Sequence, residues 1–165
     1  MTTDWTHFRK RISIHASPQL VWDAWTTRAG LERWFLRVAK FTSADGVQKK
    51  DGEQVQAGDR YDWRWHGYPD DTNEQRLVLA VFPKNFLQFR FSGDCTVSVT
   101  IKHEEGTTIC ELVQENIPID ENPKTNLLVG CGEGWTFYLT NLKSVLEGGI
   151  DLRNKNVKLT SVINS

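Results

Sequence analysis

Asp62, Arg64 and His66 follow one another at two-residue steps, and the positions between and before them are Tyr61, Trp63 and Trp65. In an extended chain, residues two apart point the same way, about 7 Å from each other. The three polar groups therefore share one face, and a histidine beside a carboxylate can take up and release protons near neutral pH. The same alternation describes the solvated face of a one-sided sheet whose other face is aromatic. That description is the stronger one, because three polar residues opposite three aromatics is what such a sheet requires. A third use, recognition of a ligand's polar end, needs these side chains to border a pocket.

The other chemistry-bearing residues are more scattered. His15 precedes Ser17-Pro18 and reads as a local hydrogen-bond partner at a helix start, while His7 and His103 have no close partners in sequence. Cys95, Cys110 and Cys131 are odd in number, widely spaced and set among apolar neighbours. They read as reduced core thiols of a cytoplasmic protein, since a disulfide framework or a zinc site would want paired spacings. Serine-nucleophile motifs and phosphate-binding glycine loops are absent. Gly130-Cys131-Gly132-Glu133-Gly134 follows no predicted strand, so it is not a dinucleotide fingerprint. No catalytic residue, metal or cofactor is expected.

These residues must be positioned by a sheet and a few helices. Phe8, Ile12 and Ile14 mark a first half-buried strand within residues 5–16. Ser17 caps a helix with Pro18 at its first position, Val21, Trp22 and Trp25 share one of its faces, and Gly30 breaks it. Leu31, Trp34 and Phe35 suggest a second short helix, and residues 36–44 another strand. The polar run 43–58 reads as a solvated hairpin or mobile loop, or as the rim of a pocket. Strands are then predicted over residues 61–66, 75–82, 86–91, 95–102 and 107–116, with short links that imply an antiparallel meander.

A one-sided sheet needs a cover. Leu128, Cys131, Trp135, Tyr138 or Leu139, Leu142 and Val145 or Leu146 recur at three- and four-residue steps, which places an apolar stripe along one helix. Gly148-Gly149 ends it. Asn122-Pro123 reads as its start, which would make it about 37 Å long. However, Gly130, Gly132 and Gly134 each cost about 1 kcal/mol inside a helix. Either the regular helix begins near Glu133, or its first half admits a close-approaching surface. The whole is α+β: a curved antiparallel sheet of about seven strands wrapped around a long C-terminal helix, with two short helices after the first strand, the order of the helix-grip fold. Residues 1–150 read as one domain and 151–165 as an arm or tail.

A chain of 165 residues suits a single domain that needs no disulfide or metal. Its 20 Lys and Arg nearly balance 21 Asp and Glu, so no basic face for nucleic acid or an anionic membrane is predicted. No run approaches the ~20 apolar residues of a membrane span. Met1-Thr2-Thr3-Asp4-Trp5 lacks the basic and apolar regions of a signal peptide. Seven Trp, eight Phe and three Tyr are a heavy aromatic load, fit either to fill a thick core or to line a cavity.

The chain resembles the heat-shock-protein-90 ATPase activator homologue-like group of the START and birch-pollen-allergen-like superfamily. The pieces that carry the resemblance are Ile12-Ser13-Ile14-His15-Ala16-Ser17-Pro18-Gln19-Leu20-Val21-Trp22-Asp23-Ala24-Trp25, Leu31-Glu32-Arg33-Trp34-Phe35, Gly58-Asp59-Arg60-Tyr61, Val81-Phe82-Pro83-Lys84-Asn85-Phe86-Leu87 and the closing Gly134-Trp135 segment. The resemblance implies a sheet gripping the last helix, with a hydrophobic cavity between them in many members. It does not imply chaperone activation, because the eukaryotic co-chaperone that names the group carries a separate N-terminal domain. Asp59 stands where relatives commonly have glycine, and Trp25 where they often have a smaller apolar residue, so pocket shape does not carry over.

The leading expectation is a protein that binds an apolar or aromatic small molecule in a cavity lined by Trp34, Trp63, Trp65, Phe89, Trp135 and Tyr138, with Trp NH and Tyr OH groups orienting any polar end. Two alternatives accompany it. One is an aromatase or cyclase-like enzyme built on Asp62, Arg64 and His66. The other is a domain that works through a protein partner, a chaperone or a second copy of itself.

Overall fold

The computed structural model describes residues 4–164; Met1-Thr2-Thr3, on which the absence of a signal peptide was partly read, and Ser165 of the expected arm lie outside the described residues. The chain runs β1 (Phe8–Ile14), α1 (Pro18–Thr26), α2 (Arg28–Trp34), β2 (Val38–Thr42), β3 (Arg60–Arg64), β4 (Asn73–Phe82), β5 (Phe86–Phe91), β6 (Cys95–Glu104), β7 (Thr107–Glu115) and α3 (Leu127–Leu146). All seven strands form one antiparallel sheet in the order β1-β7-β6-β5-β4-β3-β2. From β2 to β7 each strand neighbours the next, while α1 and α2 carry the chain across from one edge to the other. A register shift at Val78/Ala80 in β4 adds the local bend that a bulge gives a strand, and the curved sheet closes around α3.

The inward faces follow the alternation in the sequence. Leu87, Phe89 and Phe91 of β5 and Cys95, Val97, Val99 and Ile101 of β6 are buried, as are Tyr61 and Trp63 of β3. Against them lie Trp135, Tyr138, Leu139 and Leu142 of α3, the i, i+3, i+4, i+7 set of one helix face.

Three local readings change. Gly30 does not break the first helix; the break is at Thr27, whose extended backbone (ψ 153°) ends α1 while its hydroxyl accepts from Gly30 N at 3.0 Å to begin α2. Gly30 sits inside α2 because a Cβ there would lie 2.2 Å from the Asp23 carbonyl oxygen. The long helix starts at Asn126, whose side chain accepts from Val129 N at 3.2 Å, and not at Asn122, whose side chain accepts instead from Lys124 N at 3.0 Å in a preceding turn. All three glycines are therefore helical, yet a Cβ on Gly130, Gly132 or Gly134 would meet no atom within 4 Å. No surface approaches them; they leave open space.

Residues 43–58 are a connection tied to the helices, and Gln54, Val55, Gln56 and Ala57 of it border a pocket with Gln19 and Trp22 of α1. Val55 N donates to Thr26 O at 2.8 Å and Ala29 N to Asp51 O at 3.0 Å, and Val55 itself is buried. Asp59, also buried, accepts from Gln56 N at 2.8 Å and lies 3.3 Å from Lys49 Nζ.

Residues 151–164 contain no helix or strand but are anchored at their start. The Arg153 guanidinium donates to the Leu36, Glu32 and Arg33 carbonyls at 2.9 to 3.0 Å, satisfying backbone groups around the C-terminal end of α2. Asn141 of α3, wholly buried, links the same region: Nδ2 donates to Trp34 O at 2.7 Å and Oδ1 accepts from Leu152 N at 2.7 Å. No helix among the described residues is long and apolar enough to cross a membrane.

Candidate functional site

Aromatic rings from α1, α2, β3, β5 and α3 meet between the sheet and α3. Trp25 of α1 lies 4.7 Å from Trp34 and 5.9 Å from Trp135, centroid to centroid. Phe35, just past α2, stacks on Trp34 at 5.2 Å. Trp63 stacks on Tyr61 at 3.9 Å and meets Phe89 edge-on at 5.1 Å. Trp25 and Phe35 thus pack against Trp34 and Trp63, and Tyr61, Trp63 and Phe91 pack against Phe89. Trp34, Trp63 and Phe89 are 0%, 2% and 1% exposed and belong to a closed core.

An opening remains farther along the helix. A cleft of about 330 Å³ lies between the first two turns of α3, the ends of β4 and β5, and the loops carrying Tyr68 and Lys124. Its aromatic wall is Phe35, Trp65, Phe91, Trp135 and Tyr138. Four of these rings form a closed circuit, with Phe35–Trp65 at 5.8 Å, Trp65–Phe91 at 6.4 Å, Phe91–Trp135 at 5.3 Å and Trp135–Phe35 at 5.0 Å. Gly130 and Gly134, one helical turn apart, form the opposite side together with Cys131. The cleft exists because these positions carry no side chain where α3 passes the sheet. Full burial along α3 begins only at Trp135.

The structure therefore divides the six residues expected to line a cavity. Trp65, Trp135 and Tyr138 border the cleft, whereas Trp34, Trp63 and Phe89 lie in the core away from it. Sequence reasoning missed Phe35, Phe91, Glu74, Ser92 and the two glycines. Only the glycines left a signal, a costly i, i+4 pair inside an otherwise apolar helix.

The polar residues around the cleft come mainly from the ends of β4 and β5 and the segment before α3, among them Asn73, Glu74, Ser92, Lys124 and Asn126. Trp135 Nε1 donates to Gln114 Oε1 at 2.9 Å and Trp34 Nε1 to Ala24 O at 2.9 Å, so neither indole NH is free to orient a ligand. Tyr138 differs: its hydroxyl is buried without a hydrogen-bond partner. Burial pushes the Tyr138 phenol well above its ordinary pKa and keeps it protonated. On the rim, Glu74 accepts from Ser92 Oγ at 2.6 Å and lies 3.4 Å from Arg76 Nε.

Asp62, Arg64 and His66 take no part in the cleft. Asp62 and Arg64 form a two-pronged ion pair at 3.3 and 3.1 Å on the face of β3 opposite Tyr61 and Trp63. Arg64 also pairs with Asp70 at 3.3 Å, and Asp70 with Arg37, which pins the loop after Trp65 to the sheet. His66 lies beyond the end of β3; burial, then the charges of Arg153, Lys155 and Arg37, lower its pKa. His7 does have a partner, Asp4 at 3.1 Å, on an exposed turn. Among the described residues no three His, Cys, Asp or Glu side chains converge as metal ligands.

Comparison with known proteins follows this architecture. Protein SSP2350 from Staphylococcus saprophyticus is similar in structure, with TM-score 0.69 and 17% identity over 89% of this chain and 96% of that one. The Aha1 dimer from Colwellia psychrerythraea gives 0.67 and 20%, over 87% and 97%. DynU16, from the dynemicin biosynthetic locus, gives 0.68 and 19%, over 91% of this chain and 50% of that one. At these identities the likeness is one of fold. No curated protein matches the chain. The family model described as Activator of Hsp90 ATPase homolog 1-like protein matches residues 15–147, from the residues ahead of α1 to the end of α3. That match covers six of the seven strands, β2 to β7, with both short helices and the gripped helix, and the chain belongs to this family.

Proposed function

We propose that this protein binds a small apolar or aromatic molecule in the cleft between the N-terminal half of α3 and the strand ends. The observation that carries the reading is the pairing of a continuous aromatic wall with a glycine-lined helix segment, which leaves room where the rest of the helix is packed. Pockets of about 300 Å³ and above, mostly apolar with a few polar groups, are where small ligands bind. A ligand that buries about 200 Å² of apolar surface gains about 5 kcal/mol, from which the loss of its freedom must be subtracted. For a ligand of that size the affinity is therefore weak, no tighter than about 0.2 mM. Cys95, Cys110 and Cys131 are all free thiols, which supports a reducing, cytoplasmic setting. In this reading residues 1–150 are the binding unit and 151–165 an arm tied across the end of α2.

Two other uses have narrower support. Cyclase-like chemistry would have Glu74 and Lys124 as the charged residues of the cleft, and DynU16's biosynthetic locus favours it. The outward Asp62 and Arg64 pair does not. Self-association or a chaperone partner is favoured by the dimeric Colwellia relative and by exposed Val157 and Ile163 on the C-terminal segment.

Native mass spectrometry of freshly purified protein, followed by titration of aromatic hydrocarbons against tryptophan fluorescence, tests the binding reading. A retained apolar ligand, or saturable quenching that vanishes when the cleft is filled, supports it. No retained ligand and no saturable quenching by any aromatic probe overturns it.

A further inference from the structure

Tyr138 is 3% exposed, borders the cleft, and holds a hydroxyl that hydrogen-bonds to nothing in the protein. Its ring already has a packing role, edge-on to Phe35 at 4.9 Å and to Phe137 at 5.3 Å, and a phenylalanine would serve that role equally. Leaving a buried hydroxyl unpaired is unfavourable by about 1–3 kcal/mol. The neighbouring polar aromatics avoid this: Trp135 is bonded to Gln114, Trp34 to the Ala24 carbonyl and Tyr61 to the Arg90 carbonyl. The other buried polar atoms without a hydrogen bond among the described residues, Trp25 Nε1, Trp63 Nε1, Glu111 Oε2 and Gln114 Nε2, belong to residues that do not border the cleft. Among the described residues, Tyr138 alone combines a buried polar atom lacking a hydrogen-bond partner with a place in the lining of this cleft.

We infer that the Tyr138 hydroxyl is the cleft's specificity group, donating a hydrogen bond to an acceptor oxygen on an otherwise apolar aromatic ligand. The inference rests on the cleft being a binding site and goes further, naming the ligand class: aromatic ketones, quinones and related compounds with a carbonyl or ether oxygen at one end of a flat apolar body. The donor role follows from a phenol that burial keeps in its protonated form. The glycine side, Gly130 and Gly134, admits the flat body, and the four-ring circuit supplies the apolar contact.

A matched pair of probes tests this. 2-Acetylnaphthalene and 2-ethylnaphthalene have nearly the same shape and differ in the acceptor oxygen. Each is titrated against the intact protein and against Tyr138→Phe, with tryptophan fluorescence as the readout. The expected result is that Y138F weakens the ketone about fivefold, the worth of one neutral hydrogen bond, and leaves the hydrocarbon within about twofold. Equal weakening of both probes, or of neither, overturns the role of Tyr138 while leaving the cleft as a binding site. If the intact protein binds neither probe, the binding reading and this inference fall together. Should Y138F not fold, the carbonyl stretch of 2-acetylnaphthalene bound to the intact protein decides: a shift below its frequency in hexane supports the bond, and no shift overturns it.

Discussion

Trp135 Nε1 lies 2.9 Å from Gln114 Oε1, a bond that ties the middle of α3 to β7 with both side chains out of solvent. It fixes the indole that forms one corner of the aromatic circuit. Gln114→Leu keeps much of the volume but leaves the indole NH unpaired in the core. The expected cost is about 1–3 kcal/mol by chemical denaturation, with a changed tryptophan emission spectrum.

The helical glycines separate stability from binding. Gly132 is helical, outside the cleft lining, and a Cβ there meets nothing, so Gly132→Ala should stabilise the protein by about 0.5–1 kcal/mol without altering probe affinity. Gly134→Leu should leave stability near that of the parent while abolishing quenching by aromatic probes, because its side chain occupies the cleft. A G134L protein that binds as tightly as the parent would place the ligand elsewhere.

Arg153 is the bolt of the C-terminal segment. Its guanidinium is almost wholly inaccessible, holds three carbonyls near the end of α2 and pairs with Asp151 at 2.7 Å. Arg153→Ala strands those partners, and a loss of about 3 kcal/mol or more is expected in thermal or chemical unfolding.

Acid should act partly through Asp151. Burial raises its pKa, but hydrogen bonds from Arg153, Lys155 and Asn141 together outweigh that and hold the carboxyl well below the usual carboxylate range. A carboxyl lowered in the folded state supplies stability that is complete above its unfolded pKa, about 3.9, and is lost as pH falls toward the folded value. His66, also lowered, adds a loss that begins as pH drops below about 6.5, where the unfolded chain takes up the proton first. Melting temperature should fall in two stages between neutral pH and about pH 3. Asp151→Asn should shrink the lower stage and, because the Asp151 charge raises the His66 pKa, deepen the upper one.

Thiol chemistry offers a local probe of the cleft. Burial raises the pKa of all three cysteines, Cys110 to about 12, so labelling of the native protein should be slow. Cys131 lines the cleft, and Cys110 is fully buried. Maleimide mass labelling should therefore modify Cys131 well before Cys110, and a bound aromatic probe should slow the Cys131 reaction specifically.

Most of the architecture was legible without coordinates. The strand pattern was readable because period-two burial is local: Leu87, Phe89 and Phe91 alternate with Gln88 and Arg90 whatever lies across from them. The gripped helix was legible from Trp135, Tyr138, Leu139 and Leu142, and its end from Gly148, which adopts φ +83°. Even the outward placement of Asp62 and Arg64 followed from alternation with Tyr61 and Trp63.

The helix start was not legible, because Asn122 and Asn126 are equally good caps and only the surrounding turn decides between them. The site was harder still. Nothing along the chain says that Trp25 and Phe35, from different elements, fill the space in front of Trp34 and Trp63. The sequence by itself determined which faces are apolar, and hence a sheet curled around a terminal helix. Whether those faces touch or leave a gap was decided by tertiary structure alone, because a cavity is the difference between the volumes of side chains distant in sequence and the distance between the backbones that carry them.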